Sequence, residues 1–98
     1  MSSEGMKYDN GKPRYDLEQV LALEEVTKVL TFGASKYADD NWRLVENAKK
    51  RYYSAARRHL AAHQKGEVHD TESGLHHLAH AACCINFILE LELEDEIL

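Results

Sequence analysis

Two stretches of helical periodicity, 45–65 and about 74–92, are separated by only eight residues, GEVHDTES. So short a connection leaves two helices one arrangement, an antiparallel hairpin. The second helix carries Tyr52, Tyr53, Ala56, Leu60 and Ala61, and the third Leu75, Leu78, Ala79, Ala82, Ile85, Phe87, Ile88, Leu89 and Leu91. Lys65-Gly66 stops the second helix: a cation in its last turn, then a residue free to turn left-handed. Asp70, Thr71 or Ser73 is expected to cap the third. Upstream, Leu17, Val20, Leu21, Leu23, Val26, Val29, Leu30, Gly33 and Tyr37 recur mostly every three or four residues, behind an N-cap at Asp16. Residues 38–44 break that pattern. Residues 1–16 hold Gly5, Asn10-Gly11 and Pro13 and no periodic apolar set. The expected fold is all-α. It has three main helices, an antiparallel hairpin of helices two and three, and an extended N-terminal arm folded across them. The expected division is an arm, 1–16, and a single helical domain, 17–98, with a fraying acidic tail. A chain of 98 residues is one domain at most.

Charge is divided along the chain. Residues 1–65 hold all 12 Lys and Arg against 9 acids, while residues 66–98 hold 8 acids and no Lys or Arg. A net charge of −5 argues against duplex nucleic acid as a partner, because duplex affinity comes mostly from phosphate neutralisation. No apolar run reaches the ~18 residues of a membrane span, so no membrane partner is expected. The N-terminus MSSEGMKYDNGK lacks the apolar stretch of a signal peptide. Adjacent Cys83 and Cys84 point about 100° apart on a helix and are read as reduced thiols of a cytoplasmic protein. The Ile85–Leu91 stretch is apolar over more than half its circumference, and its simplest outlet is a partner subunit of a homo-oligomer.

All six histidines lie between His59 and His80. With the loop centred near residue 68 or 69, facing hairpin positions sum to about 137. His59 is then level with residue 78, between His77 and His80, and His63 is level with 74–76. His77 and His80 are i,i+3 neighbours. His59 and two imidazoles of the third helix can therefore meet at one end of the hairpin, where Glu67, Asp70 and Glu72 also fall. Imidazole with carboxylate suits Mn²⁺, Zn²⁺ or Fe²⁺, whereas pure oxygen ligation suits Mg²⁺. His63, His69 and His76 are read as solvated.

Three further patterns bear on chemistry. His69-Asp70 is similar to the HD signature of metal-dependent phosphohydrolases, but the only downstream aspartate is Asp95 in the tail. Glu24-Glu25 followed by Glu67-x-x-Asp70 partly matches the MazG-like all-α nucleotide pyrophosphohydrolases, whose carboxylates hold Mg²⁺ on a triphosphate. Lys28 stands where a third glutamate is usual. The third pattern is basic and aromatic: Lys7, Tyr8, Lys12, Arg14 and Tyr15 in the arm, then Lys36, Tyr37, Asn41, Trp42 and Arg43, then Arg57 and Arg58. Guanidinium and ammonium groups neutralise phosphate and aromatic rings stack on bases. Trp42 reads equally as a lid over the core.

Longer blocks carry a resemblance. Lys7-Tyr8-Asp9-Asn10-Gly11-Lys12-Pro13-Arg14-Tyr15-Asp16-Leu17, Leu30-Thr31-Phe32-Gly33-Ala34-Ser35-Lys36-Tyr37 and Asn41-Trp42-Arg43 resemble a phage-encoded family of dATP/dGTP diphosphohydrolases. So do Arg58-His59-Leu60, Gly66-Glu67, Asp70, Glu72-Ser73-Gly74-Leu75 and His77-Leu78-Ala79-His80-Ala81. The blocks span residues 7–81 in order. The resemblance implies hydrolysis of purine deoxynucleoside triphosphates to monophosphate and pyrophosphate, in the cytoplasm of a bacterial host. On that reading Glu72, Asp70 and Glu25 are the catalytic candidates, in a MazG-related frame. His59, Glu67, Asp70, Glu72, His77 and His80 are the candidate ligands of a divalent metal, Mg or Mn, with Zn or Fe suggested by the histidines. Lys7, Tyr8, Lys12, Arg14, Lys36, Tyr37, Asn41, Trp42, Arg43 and Arg58 are the candidate contacts to a purine nucleotide. The alternative is a non-catalytic protein that sequesters a cyclic or signalling nucleotide with the same basic and aromatic residues.

Overall fold

The computed structural model describes residues 5–97. The first four residues of the arm and Leu98 lie outside that range. Three helices dominate: α1 (Val20–Lys36), α2 (Ala48–Gln64) and α3 (His77–Ile97), with 3-10 turns at Tyr15–Leu17 and Asn41–Leu44. Among the described residues there is no strand, only an isolated antiparallel bridge between His69 and His76. The architecture is all-α, as the periodicity implies, and α2 and α3 form the main packed pair.

Gly66 ends α2 as expected. Its φ is +99°, its N–H bonds the His63 carbonyl at 2.9 Å, and the Glu67 N–H bonds the Ala62 carbonyl at 3.0 Å. That pair of bonds is a Schellman closure, which needs the conformational freedom of glycine. The connection to α3 differs from expectation. The Asp70 carboxylate caps a local turn, not a helix: its Oδ2 accepts from the Ser73 N–H at 2.8 Å and from the Ser73 hydroxyl at 2.9 Å. Gly74, at φ +75°, then breaks any right-handed run, and α3 starts only at His77. Asp and Ser favour such turns for the same reason that they favour caps. The loop is cross-linked by its backbone, with Asp70 N–H to Leu75 O at 2.8 Å and His77 N–H to Val68 O at 2.8 Å.

Other boundaries also shift. Asp16 does not cap α1, because Arg14 holds its carboxylate through Nε at 3.1 Å and Nη2 at 2.7 Å. The helix begins at Val20 behind Gln19. The acidic tail does not fray before Ile97. Arg43 Nη1 binds Glu94 at 2.6 Å and Lys49 Nζ reaches Asp95 at 3.3 Å, so the basic loop and the start of α2 hold the acidic end of α3. The arm is not folded across the body: Met6 is 78% exposed and Tyr8 76%.

The core is small. Val29, Ala79 and Cys83 are buried together, with Val26, Leu75 and Phe87 packed against them, which docks α1 onto α3. Ala56, Ala81, Cys84 and Ile88 are also buried. The short side chains of Ala56, Ala81 and Cys84 let α2 and α3 approach closely. Trp42 stacks on Phe87 at 4.4 Å and Tyr52 meets the same ring at 4.9 Å, which fastens the 3-10 turn to the helix pair. Much apolar surface stays uncovered, including Leu17, Val20 and Leu21 on one side and Ile85, Leu89 and Ile97 on α3. The radius of gyration is 17.4 Å, against about 13 Å for a compact domain of this length. No described helix is long and apolar enough to cross a membrane.

Close helix approach makes Ala81 sensitive to added volume. Ala81→Leu is expected to cost about 1–3 kcal/mol in urea unfolding. An unchanged midpoint would show that α2 and α3 do not pack as described.

Candidate functional site

At the loop end of the hairpin, side chains from α2, the loop and α3 converge. His59 on α2 places Nδ1 2.9 Å from Nδ1 of His77 on α3. The His59 ring also stacks on His80, with centroids 4.5 Å apart. Each residue of the trio His59, Asp70 and His77 offers a ligand atom within 4.8 Å of the others. His77 is nearly wholly buried, while His59, Asp70 and His80 are half-buried.

Hydrogen-bond chemistry sets the ring protons. The Glu67 carboxylate only accepts, so in the 2.6 Å contact with His77 Nε2 the imidazole donates. A neutral His77 then presents a bare Nδ1, and the proton in the Nδ1–Nδ1 contact is that of His59. Ser73 has one hydroxyl proton and an ionised Asp70 can only accept, so the hydroxyl donates to Asp70. His80 Nε2 must then donate to Ser73 Oγ across 2.7 Å. Glu67 thus orients His77, and Ser73 orients both Asp70 and His80.

Burial pushes the His59 pKa down, helped by neighbouring His80 and His77. Burial likewise lowers His80, against an opposing pull from Asp70. For Asp70 burial works against ionisation, but the Ser73 backbone and hydroxyl bonds outweigh it and the carboxyl sits below its usual range. The cluster therefore favours neutral imidazoles beside an ionised carboxylate, which is a cation-binding state.

An open groove of about 1140 Å³ runs from this cluster between α1, the 3-10 turn, α2 and α3. Its walls include Lys36, Tyr37, Asn41, Trp42, Arg43 and Arg58, with His80 at the junction. Six of the ten sequence-nominated nucleotide contacts therefore share one concavity. The other four do not line it: Lys7 pairs with Asp9 at 3.6 Å and Arg14 with Asp16 at 2.7 Å, while Tyr8 and Lys12 are exposed on the arm. Within the groove the cations differ. Lys36 binds Glu72 at 2.7 Å, and Arg43 binds Glu94 while its guanidinium lies 4.4 Å over Trp42. Among the described residues Arg58 bonds only the Ser54 hydroxyl and Arg51 only the Glu46 carbonyl, so neither has its charge compensated there by a carboxylate. Arg51, Ser73 and Phe87 were not singled out as site residues from sequence. Arg51 looks like any helix-surface arginine, and Ser73 was visible only as a cap candidate.

The carboxylates nominated for catalysis separate. Asp70 sits in the cluster, Glu72 is tied to Lys36, and Glu25 binds Lys28 at 2.7 Å along α1. Cys83 and Cys84 are free and buried on the groove wall. Burial raises them to about 12 and about 11, so both are protonated thiols at neutral pH.

The depressed histidines give stability a pH dependence with a definite sign. The unfolded chain takes up protons at His59 and His80 near the usual ~6.5, before the folded chain does. Their contribution is thus complete above that pH and is lost as pH falls through the lower folded values. In chelator, the melting temperature is expected to fall between pH 7 and 5, and His59→Gln/His80→Gln to flatten the slope. An unchanged slope in the variant would place the titration elsewhere.

Known proteins sharpen this geometry. A "dATP/dGTP diphosphohydrolase" of Salmonella phage PMBT28 is 40% identical over 87 residues, which cover 89% of this chain and 29% of that protein. The chain thus spans less than a third of the relative's length. No solved structure matches it. The family model described as dATP/dGTP diphosphohydrolase, N-terminal, matches residues 2–98, and it takes in the whole helical body with its His/Asp cluster and groove. The chain belongs to the dATP/dGTP diphosphohydrolase N-terminal family.

Proposed function

We propose that this chain binds a purine deoxynucleoside triphosphate, dATP or dGTP, in the groove and hydrolyses its α–β phosphoanhydride to monophosphate and pyrophosphate. One observation carries the reading. The basic and aromatic groove ends at His80, which stacks on His59 of the metal-competent trio. Phosphate-binding and cation-binding chemistry therefore share a wall. The relative's name and the family description support the same substrate class.

In this scheme Arg58 and Arg51 take the phosphates first, because they need not leave a carboxylate to do so. Lys36 and Arg43 follow by exchanging Glu72 and Glu94 for phosphate oxygens. Tyr37 and Trp42 line the end that receives the base, although Trp42 is already stacked on Phe87 and beneath Arg43. The donors of His59, Asp70 and His77 fit a divalent cation, with Glu67, Glu72 and His80 around them. When bound, such an ion neutralises phosphate oxygens and acidifies a water. His80 is the cluster residue on the groove wall, and with Nε2 donating to Ser73 its Nδ1 would be left to accept a proton from the attacking water. Its ring is kept neutral by burial. Activity belongs to the cytoplasm of a bacterial host, and the uncovered apolar faces of α1 and α3 pair with further copies. A homo-oligomer would show a solution mass that is a multiple of 11.2 kDa by light scattering; a mass of one chain would refute it.

The test is product analysis with dGTP and dATP in Mg²⁺ or Mn²⁺. Monophosphate and pyrophosphate are expected in equal amounts. His59→Ala and Asp70→Ala are expected to reduce the rate by more than the roughly 10–100-fold typical of an outer-shell partner. Glu72→Ala probes the carboxylate that Lys36 holds. Tight binding with the nucleotide recovered intact would instead support sequestration. That alternative draws on the same basic and aromatic residues of the groove.

A further inference from the structure

We propose that His59, His77 and Asp70 form a selective site for a first-row transition ion of the Zn²⁺, Mn²⁺ or Fe²⁺ class, not Mg²⁺, with both imidazoles ligating through Nδ1 and Glu67 acting as a positioning residue. The proposal rests on the reading above that the cluster holds a cation, and it specifies which cation and through which atoms.

The first observation is the Nδ1–Nδ1 separation of 2.9 Å between His59 and His77. Two nitrogens sharing one ion at about 2.0–2.1 Å each lie about 2.9–3.4 Å apart, for angles between square and tetrahedral. The pair already stands at the near end of that interval. Without an ion one proton must lie between the two lone pairs, and an ion takes that proton's place. For His59 the displaced proton goes from Nδ1 to Nε2, so the ring remains neutral and no net charge is lost.

The second observation is Glu67. Its carboxylate accepts from Nε2 of His77 at 2.6 Å, while the imidazole is only 5% exposed. A carboxylate behind the distal nitrogen fixes the tautomer, aims the other nitrogen at the ligand and raises its basicity. The Schellman closure at Gly66 puts Glu67 there through its backbone, not through a flexible loop. Ser73 does the same for Asp70, holding Oδ2 with two bonds.

The third observation is donor type. Two imidazoles and one carboxylate are a borderline set that suits Zn²⁺, Fe²⁺ or Mn²⁺. Mg²⁺ prefers oxygen in near-octahedral array, and Glu25 and Glu72, the carboxylates that would supply it, are each tied to a lysine.

Co²⁺ titration of the intact, metal-stripped chain tests this without turnover. A visible d–d spectrum saturating at one ion per chain is expected, lost on adding Zn²⁺ and retained in about 100-fold excess Mg²⁺. Glu67→Gln is expected to weaken Co²⁺ about 10–100-fold with its circular dichroism unchanged. His59→Ala is expected to abolish the spectrum, and His63→Ala to leave it intact. Equal competition by Mg²⁺, no spectrum, unchanged affinity in Glu67→Gln, or loss in His63→Ala would each overturn the proposal. Failure here is separable from failure of the hydrolytic reading. Pyrophosphate release in Mg²⁺ without Co²⁺ or Zn²⁺ binding refutes this site alone, and Co²⁺ binding without turnover refutes hydrolysis alone.

Discussion

The structure depends on how α2 is turned back onto α3. Gly66 closes α2, and the backbone bonds Asp70 to Leu75 and His77 to Val68 lock the residues between. These few bonds set the register of the hairpin, and the register sets everything chemical. It places His59 opposite His77 and His80, puts Glu67 behind His77, and turns Asp70 toward both. Helix packing through Ala56, Ala81 and the cysteines then holds the two sides close enough for imidazole nitrogens to meet.

The split charge of the chain finds a use inside the molecule. Lys36, Arg43 and Lys49 reach across to Glu72, Glu94 and Asp95, so the basic first half neutralises the acidic second half. Exposed pairs of this kind are screened by water and salt. They therefore stabilise little, and they can be exchanged for phosphate at little cost. The uncompensated charge is narrower than the sequence suggests. In the groove, among the described residues, it comes down to Arg51 and Arg58.

The hairpin and the meeting of histidines were legible because helix periodicity and loop length are local, additive signals. His59 falls level with residue 78 by counting, and its ring does contact His77 and His80. His63, read as level with 74–76, lies 5.6 Å from the His76 ring. What counting could not give is the use of polar side chains. Asp70 and Ser73 carry the same signal whether they cap a helix or tie a turn, and Gly74 decided for the turn. Asp16 was taken by Arg14. Nor does a sequence tell which of many lysines and arginines will find an acid across the fold, so Lys36 and Arg43 ranked with Arg58. The arm was expected across the body, yet its side chains stay exposed, because turn residues such as Gly11 and Pro13 say that a segment is not helical but not where it lies.

The central claim is that one cation and one triphosphate share the wall between His59 and Arg58. The most direct measurement is a crystal structure with Mn²⁺ and a non-hydrolysable dGTP analogue, with the ion located by anomalous scattering. The account predicts an anomalous peak bonded to Nδ1 of His59, Nδ1 of His77 and an oxygen of Asp70, with phosphate oxygens between it and Arg58. A peak held only by carboxylates such as Glu25 or Glu72, or a nucleotide bound outside the groove, would contradict it.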